Sequence, residues 1–245
     1  SRGLGDVYKR QGIAAMGTDQ IEALTSAQAA ALTSSQVAAL STEQLASIET
    51  GDLAAMSSAQ LLNIGTARIS ALTTAQIEGL TTAQVAGLST AQVANLTTEQ
   101  IEAIQTADIR AMTALQVAAL TTAQTQALTT AQVAAIETAD LRSLTTANVV
   151  ALTTDQIVAL TTSQTASLTT NQIAALTTEQ AAAMALDDVA ALTVLQIRAL
   201  TSDNLAAMSS DQLAAMAAVQ ISMMTTAQIA AIGTEQLRNL STAQI

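Results

Sequence analysis

From residue 16 to residue 240 every eighth position holds Leu, Ile or Met, 29 times in succession, with no insertion or deletion. With that residue taken as the last of an octad, the fifth position (13, 21, 29 and onward to 245) is Ile, Val or Leu except at Ala29, Thr125, Thr165 and Ala181. Large aliphatics are therefore spaced alternately by five and three. A strand keeps one face only at even spacing, so these intervals disfavour it. One continuous α-helix also fails, because an eight-residue repeat drifts by about 80° per unit and smears the apolar stripe around the rod. Something must reset the helix in every octad.

The consensus Thr-Thr-Ala-Gln-Ile-Ala-Ala-Leu supplies the reset. In Leu72-Thr73-Thr74-Ala75-Gln76-Ile77, Thr73 reads as an N-cap and Gln76 as the N3 residue of a capping box, with Leu72 and Ile77 as the flanking hydrophobic staple. The first position is Ser or Thr in 21 of 29 octads and the fourth is Gln in 22, so the signal belongs to the repeat and not to one copy. Charge placement agrees with helix polarity. Acidic residues gather at the third position (Glu43, Glu99, Asp155) and the fourth (Asp52, Asp108, Asp140, Asp188), and Arg110, Arg142, Arg198 and Arg238 lie at the sixth.

The reading is an all-α solenoid of very short helices, one of about five to seven residues per octad, with the Thr-Thr pair turning the chain into the next unit. Alone such helices are marginal, so stability must come from stacking between units. The seventh position is small nearly everywhere, Met223 being the exception, which permits close backbone approach. Both threonines are lost at Ala185-Leu186 and Ala217-Ala218, where adjacent helices are expected to fuse into one longer helix. The fold alternative is a β-solenoid, favoured by Thr, Val and Ile and opposed by the abundance of Ala and Gln.

The chain has no His, Cys, Phe, Trp or Pro. Without His or Cys the zinc, haem and disulfide classes fall away, and the Ser and Thr hydroxyls have no evident activating base. A net charge of −11 with Tyr8 as the single aromatic ring argues against a nucleic-acid partner. Thr and Gln interrupt every octad, so no apolar run of about 18 residues exists to span a bilayer. The expectation is a non-enzymatic chain with no catalytic, cofactor-binding or metal-binding residues and no cofactor.

Residues 1–11 (SRGLGDVYKRQ) contain the only Tyr, Tyr8, and the only Lys, Lys9, and have no octad character. The string DVYKRQ resembles translated adapter read-through at the ends of proteins assembled from metagenomic sequence. That resemblance implies a non-native or disordered segment ahead of a single array over 12–245, truncated at its C-terminus, where Ile245 stops partway through an octad.

Each feature that invites a functional assignment has a structural explanation. The threonine rows invite an ice-binding assignment, but capping accounts for the first Thr without a ligand. Carboxylates occur about one per octad and never in a calcium-loop pattern, with Asp187-Asp188 the one adjacent pair past residue 11. Asn95-Leu96-Thr97 and Asn239-Leu240-Ser241 match the N-glycosylation pattern, as any Asn at the seventh position before Ser or Thr must. The arginines read as solvated partners of first-turn carboxylates.

The LTTAQ[IV]AAL octads resemble low-complexity arrays of very large bacterial surface or secreted proteins. The resemblance implies an extracellular or cell-surface spacer, stalk or adhesin-like segment, whose partners are neighbouring repeats and flanking domains of a longer chain. The alternative is a binding module whose exposed Thr, Gln and Ala face meets a protein, a glycan or ice.

Overall fold

A computed structural model describes residues 12–245, which fall into two compact units that meet between residues 120 and 121 of the sequence. Residues 1–11, with Tyr8 and Lys9, lie outside the described part. Among the described residues there is no strand, and α-helices of four to six residues follow one another at octad spacing, which sets the all-α reading over the β-solenoid.

The reset takes place one residue earlier than the Thr-Thr reading places it. Leu72 (φ −65°, ψ 140°) and Thr73 (φ −72°, ψ 159°) are both extended, and the second threonine, Thr74, is already the first residue of helix Thr74–Glu78. The turn is thus made by the eighth and first positions. Thr73 Oγ1 accepts from the Gln76 backbone N–H at 3.2 Å, and the Thr73 N–H donates to Gln76 Oε1 at 2.7 Å, which satisfies two groups that a helix start leaves unpaired.

The expected helix fusions do not occur. Helix Leu186–Ala191 follows the extended pair Met184 and Ala185, and helix Ala218–Ser222 follows Met216 and Ala217, in the same conformation as the capped octads. At the second site Gln220 Oε1 still accepts the Ala217 N–H. There the glutamine half of the box, and at both sites burial of the aliphatics on either side, holds the break without a hydroxyl.

One octad departs from the pattern. In Gly65–Leu72 the helix is reduced to a 3-10 turn, Ile69–Ala71, and Gly65 adopts φ +84°, a conformation that costs little only without a Cβ.

Within each unit the chain coils so that a helix packs on the one three octads away. Examples are Ser26–Ala30 on Thr50–Ala55 in the first unit, and Thr178–Ala183 on Ser202–Ala207 in the second. Side-chain hydrogen bonds reach the octad four units back, as described below, so a turn of the coil lies between three and four octads. The core is built from the fifth and eighth positions, buried from Ile21 and Leu40 to Leu213 and Met216. Ala29, Thr125, Thr165 and Ala181 keep the same buried position despite their smaller or polar side chains.

Candidate functional site

The residue that sequence reasoning placed wrongly is glutamine. The binding-module alternative counts it on an exposed face with Thr and Ala, yet from Gln44 to Gln228 the fourth-position glutamines that are buried leave only 1–6% of their surface exposed. Burial is tolerated because the amide is fully engaged. Gln84 Oε1 accepts the Thr81 N–H at 2.8 Å, and its Nε2 donates to the carbonyls of Leu53 at 2.8 Å and Met56 at 2.7 Å, four octads earlier. In the second unit Gln164 does the same with Thr161, Val133 and Ile136. The surface is therefore left to the Thr and Ala positions, and Gln is the tie between coil turns.

Substitutions at the fourth position are matched elsewhere. Arg68 keeps the long reach, its guanidinium donating to Leu40 O at 2.5 Å and Ala38 O at 3.0 Å. Asn148 instead donates to the buried hydroxyl of Thr125 at 2.7 Å, and that hydroxyl donates to Thr121 O at 3.0 Å. The buried carboxylates of Asp52 and Asp108 accept from Ser26 (2.6 Å) and Thr82 (2.7 Å), each 26 residues earlier, and Asp188 accepts from Thr162. Burial pushes the Asp188 carboxyl above its ordinary range, against the opposing effect of Thr162 and with a further push from Asp187. A signal for this exchange was present in the sequence. All four fourth-position aspartates follow a first position without a hydroxyl: Glu49, Gln105, Glu137 and Ala185.

Among the described residues two buried oxygens have no hydrogen-bond partner, Asp52 Oδ2 and Thr165 Oγ1. The second sits 23 residues before Asp188, the register in which Asn148 serves Thr125. A carboxylate offers no N–H for that service.

Third-position carboxylates lie on the surface at helix starts. In the second unit they recur on helices packed three octads apart, as Asp155, Glu179 and Asp203, and as Asp187, Asp211 and Glu235. The backbone N–H and the hydroxyls at the helix start hold Glu43, Glu99 and Glu179 below the ordinary carboxylate range. Of the arginines, Arg238 forms the expected exposed pair with Glu235 at 2.5 Å. Asn95, in the glycosylation-like triplet, is exposed and donates to Ala91 O at 2.8 Å. Among the described residues no group of three or more carboxylates is placed to hold a metal ion, and no helix is long and apolar enough to cross a membrane.

A family model described as the ALTTAQ repeat matches residues 13–47, 45–82, 77–103, 101–136, 133–170 and 182–218. No curated protein matches the chain.

Proposed function

The chain belongs to the ALTTAQ repeat family, and from that premise we propose that it is a non-catalytic structural array serving as a spacer, stalk or adhesin-like segment of a larger bacterial surface or secreted protein. The observation that carries the reading is the glutamine tie. The most regular polar side chain of the octad is consumed in holding one coil turn to the next, as Gln84 is by Thr81, Leu53 and Met56. Such an array grows by repetition, each unit adding the same contacts to those before it. A spacer needs that property, and nucleophilic catalysis needs an activated group that the repeat does not supply.

Two measurements test the proposal. Small-angle scattering on arrays shortened by whole octads should give a longest dimension that falls linearly with octad number; a dimension independent of octad number overturns the spacer reading. Antibodies against the array should label intact source cells; labelling only after permeabilisation overturns the surface assignment.

A further inference from the structure

The octad Glu49–Met56 breaks the glutamine tie, and its two neighbours show what it faces. In the octad before it, Gln44 Nε2 donates to Ile13 O at 3.0 Å and Met16 O at 2.7 Å; in the octad after it, Gln60 Nε2 donates to Ala29 O at 3.2 Å and Leu32 O at 2.7 Å. By the same register the octad between them faces the carbonyls of Ile21 and Leu24. It brings Asp52 there, one methylene shorter than glutamine and with no N–H to give.

The oxygens on both sides are left under-satisfied. Asp52 is 6% exposed; its Oδ1 accepts from Ser26 Oγ at 2.6 Å and its Oδ2 has no partner. No described residue donates a hydrogen bond to the Leu24 carbonyl, whereas glutamine takes that role for Met16 and Leu32. A buried carboxylate oxygen without a donor is costly, and the ordinary remedies are a proton, a water or a cation. The chain itself shows which charge the carbonyl row accepts: two octads further on, the Arg68 guanidinium sits on the carbonyls of Ala38 and Leu40.

We propose that Asp52 and the carbonyl oxygens of Leu24 and Ile21 form a binding site for a hard, oxygen-seeking cation, with calcium as the ion that fits it. Calcium takes carboxylate, carbonyl and water oxygens at about 2.3–2.6 Å with flexible geometry, which suits a mixed set of this kind better than the strict octahedron of magnesium. A separate cleft of about 300 Å³, lined by Glu22, Ile48, Glu49 and Thr50, opens at the start of the same octad, and its two carboxylates raise the local concentration of cations beside the site. In this octad a metal ion replaces the glutamine amide as the bond between turns.

Titration of the full chain with calcium chloride in metal-free buffer, followed by calorimetry and by thermal melting in circular dichroism, tests the site. One dominant site with a Kd on the order of 10⁻⁴–10⁻³ M is expected, with a rise in melting temperature on saturation. Asp52→Asn, an exchange for a side chain that Asn204 already carries at this position, should weaken binding by at least about tenfold. Asp52→Gln should abolish the calcium response and melt above the calcium-free parent, because glutamine restores the direct tie. Asp211→Asn, the same charge change on the surface, should leave the Kd unaltered. Absence of heat up to about 10 mM calcium, undiminished binding in Asp52→Asn, or an equal loss in Asp211→Asn overturns the proposal.

Discussion

The side-chain amide nitrogen of Gln180 lies 2.7 Å from the carbonyl oxygen of Leu152, 28 residues earlier in the chain. The same nitrogen reaches Val149 O at 2.8 Å, while Gln180 Oε1 accepts the Thr177 N–H at 2.9 Å. Gln180→Ala therefore strands groups in two octads at once. The expected cost is about 2 kcal/mol by urea denaturation, whereas Gln20→Ala, at an exposed glutamine whose side chain caps Gly17, should cost well under half of that. Equal costs would show that capping, and not the tie between turns, is what glutamine contributes.

The two threonines of an octad should separate cleanly. Thr153 Oγ1 accepts from the Gln156 backbone at 3.2 Å, while Thr154 is an exposed first-turn residue. Thr153→Ala should destabilise by about 1 kcal/mol and Thr154→Ala should fall within about 0.5 kcal/mol of the parent. Chemical denaturation of the two single variants decides it.

Gly87 marks a close approach between turns. A Cβ at this position would lie 2.6 Å from Ser58 Cβ, closer than side-chain atoms approach. Gly87→Ala should cost about 1–3 kcal/mol despite alanine's better helix propensity, and Ser58→Gly in the same chain should recover part of the loss. A double-variant cycle with no coupling would place the strain elsewhere.

Asp188 gives the array a definite pH response. Its carboxyl is raised above the ordinary range by burial, so its contribution to stability is greatest when protonated, below the unfolded-state value, and is lost as pH rises through the raised value. Asp188→Asn removes that loss and supplies an N–H in the register where Asn148 serves Thr125. The variant should exceed the parent by about 1 kcal/mol at pH 7, with the difference shrinking as the pH falls below the carboxylate range. Urea melts at several pH values measure it; a difference constant with pH would contradict this origin.

Much of the local structure was legible from residue types and spacing alone. The capping box at Thr73 and Gln76 is a local event, and a sequence pattern captures local events well. What lay beyond it was the coil. The separation that joins Gln76 to Leu45 and Ile48 depends on how far each extended pair rotates the chain, and no residue in an octad records that angle. For the same reason the burial of glutamine was hidden: its second set of partners lies four octads away. The helix fusions expected at Ala185 and Ala217 failed because the threonine hydroxyl was credited with the whole break, when burial of Met184 and Met216 also holds the chain in place.

Each tie between turns has a direction. In each glutamine tie within a unit the later octad gives the hydrogen and the earlier one receives it, as Gln180 does toward Leu152; only the short hydroxyl contacts, such as Ser26 to Asp52, run the other way. A chain leaving a ribosome or a secretion pore with its N-terminus first presents the receiving course before the giving one exists. New octads can then be laid like bricks on a finished row, one at a time and without a distant segment to wait for. Pulling on the C-terminal end should lift the courses off in reverse order.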